Sequence, residues 1–106
     1  MTLYLLIESR DPFESSDTAF CHDLARGLTA AGDKVTLFLV QNGVLAARSG
    51  APGGELTELA QAGVEVLADD FSLRERGISA LKPGITAAPL DVVIDRLAEG
   101  SKVMWH

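Results

Sequence analysis

The stretch KVTLFLVQNG, residues 34–43, decides the fold class of this chain. Its first seven residues are rich in β-branched and aromatic side chains and do not alternate between apolar and polar, which is typical of a strand buried on both faces. Two similar runs, Leu3–Ile7 and Val64–Ala68, lie on either side of it along the chain. Because such strands occur in parallel sheets, the three runs predict a parallel β-sheet covered by helices.

Segments with helical periodicity separate these strands. The periodicity predicts a helix over residues 17–31, with Ser15 or Ser16 as N-cap and Gly32 after its end. Further helical segments are predicted at 44–48, 55–62, 72–76 and 89–99, an irregular segment at 78–89 and a last short strand at 101–106. Strands that alternate with helices imply βαβ units with right-handed crossovers. The chain is therefore expected to be a single α/β domain over residues 1–106.

Apolar positions at helical spacing predict which faces of two helices pack on the sheet. For the first helix these residues are Phe20, Leu24, Leu28 and Ala31, with Cys21 and Ala25 beside them. For the last helix they are Leu90, Val93, Ile94, Leu97 and Ala98. Both helices are expected to bury these residues against the core.

Charge and composition exclude several classes of function. The net charge is −6, from 15 acidic and 9 basic residues, which disfavours nucleic acids and anionic membrane surfaces. Hydrophobic residues make up 47% of the 106 residues, enough for a core without a metal or disulfide. No apolar run approaches the ~18 residues of a membrane span, and the N-terminus lacks the features of a signal peptide. We expect a cytoplasmic protein, in agreement with its single cysteine.

Polar residues follow each of the three predicted central strands. In an open parallel sheet, ligands bind beyond the carboxyl ends of the strands. The candidate pocket therefore comprises Glu8, Ser9, Arg10, Gln41, Asn42, Asp69, Asp70 and Ser72. This placement rests on the geometry of the fold class and names no reaction.

Each candidate also has a purely structural interpretation. Asp69 or Asp70 could act as a general base or metal ligand, but Asp70 could equally be the N-cap of the helix at 72–76, with Asp69 in solvent. Glu8 and Arg10 could bind a polar substrate or form a surface ion pair. Cys21 could be a reactive thiol or an inert buried one. The histidines, His22 and His106, complete no metal-binding pattern, so no metal and no cofactor is predicted.

The whole chain resembles the DsrE/DsrF/DsrH-like sulfur-relay proteins. Each matching segment is weakly specific alone, but all of them follow the family order within 106 residues. These segments are LYLLIES (3–9), AAGDKVTLFLVQNGV (30–44), AGVEVLA (62–68), RGI (76–78) and LDVVIDRLAEGSKVMWH (90–106). The resemblance implies a flavodoxin-like three-layer sandwich with a mostly parallel sheet of about five strands. It also implies assembly into trimers or hexamers and docking with a sulfur-relay partner.

The family's sulfur-carrying cysteine is missing from this sequence. In competent members it follows the third strand, four residues before the arginine of an Arg-Gly pair and often within a Cys-x-x-Cys motif. The Arg-Gly pair here is Arg76-Gly77, so the matching positions are Asp69 and Ser72. Neither side chain can form a persulfide, because sulfur relay needs a thiolate that forms and breaks S–S bonds.

Three hypotheses follow from these observations. The first is a non-catalytic subunit, or a protein that binds a small ligand or a partner, related to intracellular sulfur relay. The second is a sulfur carrier or sulfurtransferase whose thiol is Cys21. The third is a small enzyme that uses Asp69, Asp70 and Ser72 for acid–base chemistry. The missing thiol favours the first hypothesis. Whether the chain is an enzyme stays open, but a protein without enzymatic activity is the preferred expectation.

Overall fold

The structure, a computed structural model, describes residues 1–106 and contains one five-stranded sheet. All neighbouring strands are parallel, in the order β4-β3-β2-β1-β5. The strands are β1 (Leu3–Glu8), β2 (Lys34–Leu39), β3 (Glu65–Asp69), β4 (Ile85–Ala88) and β5 (Lys102–Trp105). The helices are α1 (Thr18–Ala30), α2 (Glu55–Gln61), α3 (Asp70–Glu75) and α4 (Asp91–Ala98), with a 3₁₀ helix at Gln41–Ala47.

Helices cover both faces of the sheet, which gives three layers. Helices α1 and α2 pack on one face, where the larger core cluster includes Leu6, Leu37 and Leu59. Helix α4 lies on the other face, where its Val92 and Val93 contact a small cluster made of Leu5, Ile7, Phe38 and Val40. The predicted α/β class and the five-stranded parallel sheet are confirmed. None of the helices has the length and apolarity that crossing a membrane requires.

Strand β4 corrects the prediction that residues 78–89 are irregular. Residues Ile85–Ala88 pair with β3 in parallel register from Val66↔Ile85 to Asp69↔Ala88. The strand is short and lies at the sheet edge, and its two middle residues are exposed. Its sequence ITAA therefore carries no long apolar run, and the turn residues Pro83-Gly84 just before it suggested a loop.

The predicted buried face of helix α1 is rotated from the observed one. The helix buries Thr18, Cys21, His22 and Ala25, whereas Phe20 is 67% exposed. Leu24 and Leu28 are only partly buried, and Ala31 is exposed beyond the helix end. Its N-cap position is Asp17 rather than Ser15 or Ser16, and no side chain caps it.

The last helix corrects the other predicted face. Helix α4 has no fully buried residue, and Leu90 before it and its own Ile94 and Leu97 are more than half exposed. Strand β5 beside it is exposed along its whole length, and Trp105 is 63% exposed. Apolar residues at helical spacing therefore form a surface here, not a core.

Candidate functional site

The carboxyl edge of the sheet brings the candidate residues together because β1, β2 and β3 are neighbouring parallel strands. They form two groups at this edge. One group, at the ends of β2 and β3, contains Gln41, Asn42, Asp69 and Ser72. The other, at the end of β1, contains Glu8, Ser9 and Arg10. Asp70 belongs to neither group, since its carboxylate lies 3.8 Å from Arg74 on the outer side of α3.

Ser72 is held at the centre of the first group by three hydrogen bonds. Its hydroxyl donates to Asp69 Oδ2 at 2.7 Å and accepts from the Gln41 backbone N–H at 2.9 Å, while its own backbone N–H donates to Asp69 Oδ2 at 3.1 Å. Both side chains are buried. Asp69 is thus the N-cap of α3, which corrects the prediction that Asp70 is the cap and Asp69 is in solvent.

Gln41 is the one residue other than glycine with a positive φ, 51°. Residues other than glycine rarely adopt such a conformation, and they keep it only where surrounding contacts hold the backbone in place. The bond from the Gln41 N–H to the Ser72 hydroxyl is such a contact. Ser72 therefore fixes the turn between β2 and the 3₁₀ helix in addition to its role in α3.

Arg76 ties the two loops of this group together. Its Nε and Nη2 atoms donate to Asn42 Oδ1 at 3.3 and 3.0 Å, and its Nη1 donates to the Ser72 carbonyl at 3.2 Å. The Asn42 amide in turn donates to Glu14 Oε1 at 3.4 Å. The guanidinium is consequently used for positioning the loops.

The second group is built around a pair, Glu8 and His106, that joins β1 to the residue after β5. Glu8 is 1% exposed, and both of its carboxylate oxygens lie 2.8 Å from Nδ1 of His106. Backbone hydrogen bonds continue the strand pairing here, from the Ser9 N–H to the His106 carbonyl at 2.9 Å and from the His106 N–H to the Ile7 carbonyl at 2.8 Å. The pair therefore fixes the sheet edge at the switch point of the strand order, between β1 and β5.

The predicted surface ion pair between Glu8 and Arg10 is wrong. The Glu8 carboxylate accepts the Arg10 backbone N–H at 3.2 Å, and the Arg10 side chain is exposed without a carboxylate within ion-pair distance. The sequence missed Glu8–His106 because the two residues are 98 positions apart. The contact follows from the strand register: β5 is parallel to β1 and pairs Trp105 with Ile7, so the next residues, His106 and Glu8, lie side by side.

The candidate edge lies apart from the main surface cavities of the chain. Five surface cavities have volumes between about 260 and 460 Å³, and none is lined by any of the eight candidate residues. No three His, Cys, Asp or Glu side chains come together closely enough to hold a metal ion. The edge is therefore a hydrogen-bonded surface, and a ligand or partner would contact it from outside.

Cys21, the other thiol candidate, is buried on the sheet side of α1, with 4% of its surface exposed. Burial raises the pKa of the Cys21 thiol to about 12, and the negative charge of Glu8 adds to this effect. A thiol with such a pKa is protonated at neutral pH, whereas nucleophilic sulfur chemistry needs the thiolate.

Comparison with known proteins agrees with the fold. The chain belongs to the DsrE/DsrF-like family, whose model matches residues 3–105. The family match supports the expected relation to sulfur-relay proteins. No curated protein sequence matches the chain.

Solved structures with the same fold have little sequence identity to this chain. MTH1491 of Methanobacterium thermoautotrophicum, described as a protein of unknown function, is 20% identical with a TM-score of 0.84, over 99% of this chain and 98% of that one. The ychN protein of E. coli is 22% identical with a TM-score of 0.83 over the full length of both. BT1422 of Bacteroides thetaiotaomicron, a conserved protein of unknown function, is 20% identical with a TM-score of 0.80, over 98% and 94%. These likenesses concern the fold alone.

Proposed function

We propose that this protein is a non-catalytic, oligomeric member of the DsrE/DsrF-like family that acts in the cytoplasm by binding a sulfur-relay partner. The observation that carries the proposal is the position of Ser72, which stands where the resemblance places the sulfur-carrying cysteine. Its hydroxyl is used in two hydrogen bonds, to Asp69 and from Gln41, that hold the loops at the sheet edge. These hydrogen bonds fix the shape of the edge. Sulfur transfer itself would be performed by a partner.

The same hydrogen bonds argue against acid–base chemistry by Asp69, Asp70 and Ser72. A catalytic base must reach a substrate proton within about 3 Å. Asp69 instead caps α3 in the interior, and Asp70 lies near Arg74 on the outer side of the helix. The three residues therefore do not act on one substrate from a common side.

Cys21 is expected to be unreactive in the folded protein. At pH 8, a thiol with a pKa of about 12 is ionised to about one part in ten thousand, and burial also blocks access of a reagent. Iodoacetamide should therefore alkylate native protein very slowly and urea-unfolded protein at the rate of an ordinary cysteine. The matched control is a Cys21→Ser/Ala31→Cys variant, whose thiol sits at an exposed position. Rapid alkylation of native wild-type protein would instead support a sulfur carrier that uses Cys21.

Association is supported by an exposed apolar surface on α4 and β5. This α4–β5 surface consists of Leu90, Ile94, Leu97, Val103 and Trp105, which are between 43% and 69% exposed. Large contiguous apolar patches are rare on monomers, and tryptophan is enriched at interfaces. The trimer or hexamer that the resemblance implies would bury this surface between copies.

Light scattering tests this association. At micromolar concentration the wild type is expected to have at least three times the chain mass. Ile94→Asp should lower the mass towards one chain, because a carboxylate buried in an apolar interface is strongly unfavourable. The control Ser49→Asp adds the same charge on an exposed loop residue and should leave the mass unchanged. A monomeric wild type would contradict the proposed assembly.

A further inference from the structure

A cavity of about 300 Å³ lies where the segment after the 3₁₀ helix meets the segment after α3. Its lining includes Arg48, Ser49, Arg76, Ser79 and Ala80. The Ser49 N–H donates to the Ala80 carbonyl at 2.8 Å, which joins the two segments. The lining has two arginines and no acidic residue, whereas each of the four other main cavities is lined by at least one aspartate or glutamate. The cavity is therefore a positively charged hollow in a chain whose net charge is −6.

Hydrogen bonds hold the two guanidinium groups of this cavity against one turn of the 3₁₀ helix. Arg48 Nη1 donates to the Leu45 carbonyl, and Arg76 Nε and Nη2 donate to Asn42 Oδ1 at 3.3 and 3.0 Å. Asn42 and Leu45 are one 3₁₀ turn apart, about 6 Å along the helix axis, and residues at this spacing lie on the same side of such a helix. The two positive charges are thus fixed close together, although the arginines are in different segments of the chain.

The positive charge of the cavity is only partly balanced within the chain. Arg48 has no carboxylate within 4 Å. The Arg76 guanidinium lies 4.0 Å from the exposed carboxylate of Glu75, and a surface pair at this distance is weak. Glu14, which accepts the Asn42 amide, does not line the cavity. Because arginine stays protonated in proteins, at least one full positive charge here has no counter-charge in the chain.

The residues that line the cavity also carry hydrogen-bond donors without an acceptor in the chain. Arg48 uses only Nη1, so its Nε and Nη2 atoms are free. The hydroxyl groups of Ser49 and Ser79 form no hydrogen bond, and the backbone N–H groups of Ser79 and Ala80 donate to no carbonyl. Guanidinium groups match the geometry of oxyanions and bind them through charge-assisted hydrogen bonds. A tetrahedral oxyanion has more oxygen atoms to accept from this set of donors than a carboxylate has.

We propose that the cavity lined by Arg48, Ser49, Arg76 and Ser79 binds a small dianionic oxyanion of the sulfate or phosphate type. The oxyanion accepts hydrogen bonds from the Arg48 guanidinium and the two serine hydroxyls, and its charge is balanced by Arg48 and Arg76. This site goes beyond the proposed function, in which Arg76 only positions the loops around Ser72. It requires no partner protein.

Titration of ¹⁵N-labelled protein with sodium sulfate tests this site, with sodium chloride at matched ionic strength as the control for general salt effects. Sulfate is expected to shift the backbone amide signals of Ser49, Ser79 and Ala80 saturably in the millimolar range, and chloride is not. Arg48→Gln should weaken sulfate binding roughly tenfold, because it removes charge-assisted hydrogen bonds. Arg74→Gln removes the same charge from the outer side of α3, outside the cavity, and should bind like the wild type.

Ser49→Asp is a second variant that leaves both arginines in place. Ser49 is exposed, so the fold should persist, as circular dichroism can check, while the new carboxylate should abolish saturable sulfate binding. Sodium acetate is expected to bind more weakly than sulfate. The proposal is overturned by the absence of saturable sulfate shifts in the wild type, by unchanged sulfate binding in Arg48→Gln or Ser49→Asp, or by acetate binding as tight as that of sulfate, which would assign the cavity to carboxylates such as those of an acidic protein segment. None of these outcomes bears on Cys21 or Ser72, which separates this site from the proposed function.

Discussion

Replacing Gly43 with alanine is expected to lower the free energy of unfolding by about 3 kcal/mol, near the upper end for overpacked sites. A Cβ atom at this position would overlap the Glu8 carbonyl oxygen and stand 3.1 Å from the Glu8 carbonyl carbon. That carbonyl belongs to the inner strand β1 and accepts the Val40 N–H at 2.9 Å, so it cannot move without breaking this hydrogen bond at the carboxyl edge of the sheet. Urea unfolding followed by circular dichroism measures the loss.

Gly27→Ala is the matched control for this prediction. Gly27 lies inside α1, and a Cβ there would meet nothing within 4 Å. Alanine is the better helix former, so this variant should be more stable by about 0.5–1 kcal/mol. Opposite signs for the same chemical change would locate the effect in the contact between the 3₁₀ helix and β1. A Gly43→Ala variant as stable as the wild type would show that the two do not approach as closely as described.

Asp69→Ala is expected to destabilise the protein by about 2 kcal/mol. The change removes the cap of α3, and it removes the acceptor of the Ser72 hydroxyl; each loss costs about 1 kcal/mol. Because the Ser72 hydroxyl also accepts the Gln41 N–H, the turn after β2 should loosen with the helix. Hydrogen exchange at the Gln41 amide would report this local effect alongside the denaturation midpoint.

Asp70→Ala distinguishes the two neighbouring acids. Asp70 is half-exposed, and its nearest cation is Arg74 at 3.8 Å, a surface pair of small value. Its replacement should change stability by less than about 0.5 kcal/mol. If Asp70→Ala were the more damaging of the two, Asp70 would be the cap, as its place in the sequence first suggested.

The three central strands could be predicted because short apolar runs bounded by glycine and polar loops fit few structures other than a buried strand. The parallel pairing that they predict brings Glu8, Gln41 and Asp69 to one edge of the sheet, as the structure has it. Strand β4 could not be predicted, because four residues next to prolines carry no usable periodicity. Its pairing depends on the exposed edge that β3 offers, which is a property of the assembled sheet.

The buried faces of α1 and α4 and the N-cap of α3 could not be predicted from the sequence, for two different reasons. The spacing of apolar residues along a helix does not distinguish a buried face from an exposed one, so it predicts Phe20 and Ile94 in the core although both are two-thirds exposed. Two adjacent acids before a helix, Asp69 and Asp70, differ by one residue, within the usual uncertainty of a helix boundary. The strand end decides between them, since β3 includes Asp69 and turns its side chain inward.

The central claim is that this chain does not take up sulfur from a donor as a persulfide. Its intact mass after exposure to a sulfur donor tests this claim most directly. Reduced native protein would be incubated with inorganic polysulfide at neutral pH, desalted and measured by mass spectrometry beside Cys21→Ser and the exposed-thiol control Cys21→Ser/Ala31→Cys. We expect no added sulfur on the wild type or Cys21→Ser, and an adduct on the control. A wild-type adduct of one sulfur atom that disappears in Cys21→Ser would contradict the account and make Cys21 the carrier.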